Sequence, residues 1–220
     1  RLALTSTSAC AITSTGKVKC WGNNQYGQLG DGTLAERLGA VEMSGVSNAE
    51  ALTSGIGHTC ALTGSGDVYC VGYNASGQLG DGTKSNRNVP QKVALPAMRK
   101  VVAGLDYTYG ITSSGQLKVW GDTSRHQALP ASYTAGSTTL TPSDVAGLAN
   151  LADVTGGESH TCFIRDNGSV ECWGENTFGQ LGLGDGAHYH AAPGILTALT
   201  AGSISDVACK VQYQSCVALT

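Results

Sequence analysis

Charge is scarce in this chain. Asp, Glu, Lys and Arg make up 13% of its 220 residues, about half the usual ~25%. Long charged helix-forming stretches are absent, which argues against a helical bundle and for an all-β chain with many tight turns. The net charge is −3 and no basic cluster occurs, so the electrostatic footprint of nucleic-acid binding is missing. No run of 18 apolar residues exists, and no membrane span is expected. A nucleophile-elbow G-x-S-x-G is lacking, and no residue pattern calls for a metal or a cofactor. The expectation is a protein that is not an enzyme. Arg1 opens the chain without a Met or a leader, as in a mature or excised piece of a longer precursor.

Glycine is plentiful, with 31 residues, and it is not scattered. Residues 20–33 read CWGNNQYGQLGDGT, residues 70–83 CVGYNASGQLGDGT, and residues 172–185 CWGENTFGQLGLGD. The near-copies mark a repeat unit. Anchored on Cys10, Cys60, Tyr109, Cys162 and Cys216, the units step by 50, 49, 53 and 54 residues. Such a period, with several short strands per unit, indicates propeller blades. Each unit reads as a short apolar strand, two strands around a tight turn, the Gly-rich loop, and a variable segment. The approximate units are 1–44, 45–97, 98–148 and 149–202, with a partial fifth at 203–220, in one repeat domain spanning 1–220.

The Gly-rich loop reads as architecture. Gly27, Gly30 and Gly32 permit positive φ. Asn24, Gln28 and Asp31 can bond the backbone groups such a loop leaves unpaired. Leu29, Leu79 and Leu181 hold equivalent positions and are expected to plug the gap between blades. A calcium loop would need more carboxylates, and a phosphate loop a following helix and a Lys.

The pattern W-G-x-N-x-x-G-Q-L-G-x-G, preceded by G-x-x-H-[ST]-x-x-[IL]-[ST], resembles the repeat of the regulator of chromosome condensation family. Residues 21–32 and 173–184 match it. Residues 72–82 match it with Val71 in place of Trp, and His58 and His160 fall on its His position. The resemblance implies a β-propeller, usually seven-bladed with four-stranded blades. Four units and a partial fifth fall short of that number, so a larger or oligomer-completed propeller is expected.

Eight cysteines are placed with symmetry. Cys10 and Cys20 flank an S-T-G turn, Cys60 and Cys70 a G-S-G turn, and Cys162 and Cys172 a D-N-G turn. Each pair is ten apart and would lie directly opposite across a hairpin, at disulfide distance. Tyr109 and Val119 replace both members in the third unit. Zinc would need four ligands to converge, and these pairs belong to different units. Cys209 and Cys216 break the pattern: either they pair, or the partner of Cys216 lies beyond residue 220. Disulfides place the chain outside the reducing cytosol: extracellular, at a cell surface or periplasmic. That compartment argues against the family's founding activity, nucleotide exchange on a nuclear GTPase.

Two stretches leave the repeat. Residues 121–144 replace the Gly-rich loop, making Arg125, His126 and Tyr133 candidate partner contacts. In residues 185–194, Tyr189 between His188 and His190 is another. His58 and His160, being repeat-equivalent, read as structural hydrogen bonds. Asn74 (N-A-S) and Asn167 (N-G-S) fit the glycosylation pattern. The expected function is an extracellular protein-binding or adhesion module, with another protein, possibly copies of itself, as partner. The alternatives are a self-assembling subunit of a ring or fibre, and an inhibitor of a secreted enzyme, as the resemblance to a β-lactamase-inhibitory propeller allows.

Overall fold

Four short strands per repeat unit hydrogen-bond into one antiparallel sheet, and the sheets stack in succession as propeller blades. The computed structural model describes residues 1–123, 138–157, 159–197 and 199, with the backbones of residues 206–209 and 216–219. The first blade holds β1 (Leu2–Leu4), β2 (Ser8–Ile12), β3 (Val18–Gly22) and β4 (Arg37–Glu42). The second holds β5 (Ala49–Ser54), β6 (His58–Thr63), β7 (Val68–Gly72) and β8 (Arg87–Lys92). The third holds β9 (Met98–Ala103), β10 (Tyr107–Thr112), β11 (Leu117–Asp122) and β12 (Thr138–Asp144). The fourth holds β13 (Leu151–Gly156), β14 (His160–Arg165), β15 (Val170–Glu175) and β16 (Tyr189–Ile195). Strands β17 (Asp206–Cys209) and β18 (Cys216–Leu219) form a separate two-stranded sheet. Among the described residues there is no helix.

Strand order follows chain order in every sheet, tight turns joining the second strand to the third and the Gly-rich loop the third to the fourth where it is present. Glycines supply the turns between second and third strands: Gly16, Gly66, Gly115 and Gly168 all have positive φ. The register is repeated. Cys10 lies opposite Cys20, Cys60 opposite Cys70, Tyr109 opposite Val119, and Cys162 opposite Cys172. The three Cys pairs are disulfides, with Cα atoms 4.1 to 4.2 Å apart, the close spacing of a non-hydrogen-bonded antiparallel pair. The backbone register also sets Cys209 opposite Cys216.

The core lies in the seams between blades. The disulfide side of each sheet faces the next blade. Cys10, Cys20, Leu29 and Met43 pack against Ala61 and Val71 of the second blade. Cys60, Cys70 and Leu79 pack against Val101 and Trp120 of the third. Tyr109 and Val119 pack against Phe163 and Trp173 of the fourth. The Gly-rich-loop leucines Leu29 and Leu79 are buried in these seams, and Leu181 is buried against Cys162 and Cys172 of its own blade. Trp120 and Trp173 reach backward to the preceding blade and are fully buried. Strand β17 packs on β13 and β14, continuing the succession.

Candidate functional site

Two connections of every blade, first-to-second strand and third-to-fourth strand, emerge at the same end. This loop face is built from the Gly-rich loops. In the first blade the Leu29 amide donates to Asn24 Oδ1 at 3.0 Å, and Asn24 Nδ2 donates to Asp31 and to the Thr33 carbonyl. Gln28 Oε1 accepts from the Tyr26 amide. Asp31 also accepts from Thr33 and pairs with Arg37 at 2.6 Å. Burial pushes the Asp31 carboxyl up, but Thr33 and Arg37 outweigh it and hold the group below its ordinary value. The second blade repeats the network through Asn74, Asp81, Thr83 and Arg87. The carboxylates serve the loop's own backbone and an internal arginine. The fourth blade has Leu183 where Asp31 stands, and pairs His190 with Asp185 at 3.1 Å instead.

Beneath these loops, polar side chains of the second and third blades bond across the seams. Ser8, His58, Tyr107 and His160 share one register, opposite Gly22, Gly72, Gly121 and Gly174. His58 Nε2 lies 3.1 Å from Thr108 Oγ1 of the third blade. That hydroxyl gives its own proton to the Gln78 carbonyl at 2.9 Å, so it can only accept from His58. The imidazole is therefore the Nε2–H tautomer, and its buried Nδ1 is a bare acceptor without a partner. Protonation would put a donor there with nothing to receive it. Desolvation accordingly lowers the His58 pKa to about 4. Tyr107 OH donates to the Gly157 carbonyl at 2.7 Å, and Tyr109 OH meets Thr161 at 3.2 Å. Burial raises the Tyr107 phenol well above its ordinary value. Desolvation lowers His160 too, against a smaller opposing pull from Glu175.

A glycine three residues before each ring makes room for it. A Cβ on Gly55 would come within 2.4 Å of the His58 ring, one on Gly104 within 1.9 Å of Tyr107, and one on Gly157 within 2.2 Å of His160. In the first blade that position is Ser8, whose hydroxyl bonds Thr5 of its own blade at 2.8 Å, and Thr5 stands where the others need Gly. The same turn closes there, with the Thr5 amide on the Ser8 carbonyl at 2.9 Å.

On the loop face, Tyr26 of the first blade tilts against Tyr73 of the second, centroids 4.8 Å apart. Gly57 lies against both, since its Cβ would fall 3.1 Å from each. Ile56, beside it, is 43% exposed. The result is a half-buried aromatic pair with an exposed aliphatic neighbour on the first seam. Sequence reading missed it, because Tyr26 and Tyr73 occupy different positions of their units and meet only across the seam.

Arg125, His126 and Tyr133 lie on the connection from β11 to β12 and outside the described residues. Tyr189 is on the outermost strand of the fourth blade, opposite Glu175 and 40% exposed. Asn167 sits exposed at the turn between β14 and β15, its Oδ1 accepting from Ser169. Asn74, the other glycosylation candidate, lies inside its loop. It is fully buried, its Nδ2 bonded to Asp81 and the Thr83 and Ser85 carbonyls. A sugar on that nitrogen would displace the whole loop.

Comparison with known proteins agrees with this architecture. The regulator of chromosome condensation (RCC1) repeat matches residues 65–111 and 167–213, and a second profile of that repeat matches 2–28, 50–78 and 152–180. The ultraviolet-B receptor UVR8 of Arabidopsis thaliana is 30% identical over 182 residues, covering 80% of this chain and 41% of UVR8. Protein pim1 of Schizosaccharomyces pombe is 28% identical, covering 94% of this chain and 33% of pim1. Among solved structures, human WBSCR16 superposes with a TM-score of 0.82 at 24% identity, covering 94% of this chain and 56% of that one. Prp20p of Saccharomyces cerevisiae gives 0.80 at 24% identity, covering 96% and 54%. The chain thus spans about half, or less, of the length of each of these relatives. Repeat matches in the first, second and fourth blades, and this shared architecture, establish that the chain belongs to the RCC1-repeat family.

Proposed function

We propose that this chain is a non-enzymatic, extracellular protein-binding module whose loop face contacts its partner through Tyr26, Tyr73 and Ile56. The observation that carries the reading is that aromatic pair, held on a scaffold stapled within three blades. Interface hot spots favour rigid tyrosines with an aliphatic neighbour. The half-buried pair loses little freedom on binding. Prp20p, a structural relative, has binding properties toward Gsp1p and histones, so protein recognition fits the architecture. The three disulfides support an oxidising compartment.

The test is chemical crosslinking in the source's extracellular fluid, comparing the wild type with a Tyr26→Ser/Tyr73→Ser variant of unchanged circular dichroism and melting temperature. A saturable protein adduct lost in the variant supports the reading. An adduct unaffected by the substitutions, or none in fluid or on cells, rejects it.

A further inference from the structure

The fourth blade departs from the others where its second strand turns into its third. Thr13, Thr63 and Thr112 stand at this place in the first three blades. Each hydroxyl accepts the amide four residues on, from Lys17, Asp67 and Gln116. In the fourth blade Asn167 Oδ1 takes that amide, from Ser169, and the Thr position holds Arg165. Its partner is also particular to this blade. Glu171 on β15 has the register of Lys19, Tyr69 and Lys118. Arg165 Nε and Nη2 both donate to the Glu171 carboxylate, the latter at 3.1 Å, and Nη1 donates to the Ala149 carbonyl at 3.0 Å.

This ion pair lines an open cavity of about 350 Å³, with Ala146, Gly147 and Leu148 of the β12–β13 connection and Pro193 of β16 as the other walls. The third and fourth blades meet here, so the cavity belongs to a seam inside the chain. The Glu171 side chain is 10% exposed and that of Arg165 26%, which puts the charges at the base. The first seam shows what fits such a place. Its connection corresponds residue by residue. The Met43 amide bonds the Val18 carbonyl as the Val145 amide bonds Leu117. Gly45 and Gly147 follow with positive φ, then Val46 and Leu148, both buried. In the first seam Tyr69 packs against the cluster that contains Val46. In the third, Glu171 has the place of that tyrosine, and the space beside Leu148 is open.

We infer that this cavity is a binding site for a neutral phenol ring, seated between Leu148 and Pro193 with its hydroxyl donating to Glu171. The paired charges cancel, so neither a free anion nor a free cation is favoured. A carboxylate has about four acceptor sites, and Arg165 uses two of them, so Glu171 can accept from a further O–H. The Arg165 guanidinium already lies over the Phe163 ring at 5.2 Å, and a guanidinium stacks well on an aromatic face. Leu148, Pro193 and Ala146 supply apolar contact. The volume is at the small end of ligand pockets, enough for one ring. The site lies at the turn end of the blades, away from the loop face, and shares no residue with Tyr26, Tyr73 or Ile56.

The test is a protein-observed NMR titration of the full chain with 4-methylphenol, and separately with the tripeptide acetyl-Gly-Tyr-Gly-amide, to about 5 mM. The expected result is saturable shifts at the Leu148 methyls and the Arg165 Nε–H, with toluene, which lacks the hydroxyl, bound about tenfold more weakly. Ala146→Phe, at an exposed position that should not disturb folding, is expected to fill the cavity and abolish the shifts. Binding of the tripeptide supports the site with a partner's tyrosine side chain as occupant, and binding of the free phenol alone supports it with a small molecule. No saturable shift with either probe overturns the inference. So does toluene bound as tightly as the phenol, or binding that survives Ala146→Phe.

Discussion

Acid should loosen the seam between the second and third blades before it touches the carboxylate networks. His58 is fully buried and its pKa falls from 6.5 to about 4. As pH drops through 6.5 the unfolded chain takes up a proton that the folded chain refuses until about pH 4. Stability is therefore complete above this window and declines through it by up to ~1.4 kcal/mol per pH unit. The integrated loss is about 3 kcal/mol, a large share of a typical domain's stability. His160 shifts the same way and adds to the slope. Asp31 and Asp81 are held below 3.8 and lose their contribution only at lower pH. Urea titrations followed by tryptophan fluorescence, from about pH 7.5 to pH 4.5, read the slope. His58→Gln keeps an N–H for Thr108 but cannot titrate, so its stability should depend less on pH. An unchanged slope in that variant would refute the tautomer argument.

Replacing Cys60 and Cys70 together by Ala should cost about 3 kcal/mol, the chain-entropy value for a loop of this size, measured by denaturant titration without reductant. Gly104→Ala drives a Cβ into the Tyr107 ring and should cost about 1–3 kcal/mol, seen as a lowered melting temperature; an unchanged one would mean that the ring is not fixed. In a glycosylating host, any attached glycan should disappear with Asn167→Gln and persist with Asn74→Asp, as a gel shift after deglycosylation would report.

What could be read from sequence depended on whether partners lie near each other in the chain. The disulfides were legible because a hairpin turn maps ten-residue symmetry onto direct opposition, and paired replacement at Tyr109 and Val119 marked the same register. The loop polar network was legible because Asn24, Gln28 and Asp31 bond within their own loop. The cross-seam hydrogen bonds were only half legible. Repetition flagged His58 and His160, but Tyr107 looked like an ordinary strand residue. Its role depends on Gly157 and on Gly156, where a Cβ would fall 2.3 Å from the phenol oxygen; both sit about fifty residues downstream. The burial of Asn74 was hidden for the converse reason. A three-residue pattern carries no information about burial, and the amide that completes a sequon is the one that holds the Leu79 loop together.

Placement of the disulfides has a mechanical consequence. Every described bridge closes a hairpin inside one blade, so apart from the connecting backbone each described seam is held by noncovalent contacts. Blades can peel off one at a time, but a bridged hairpin cannot be drawn out past its sulfurs. Each bridge withholds ten residues, about 35 Å of extension, until a reductant reaches it. While the next blade is seated, none can, because Cys60 and Cys70 are wholly covered. The third blade, with Tyr109 and Val119 in those places, gives up its full length in one event. Under load the chain would behave as links of unequal slack, whose hidden length is released only after both separation and reduction.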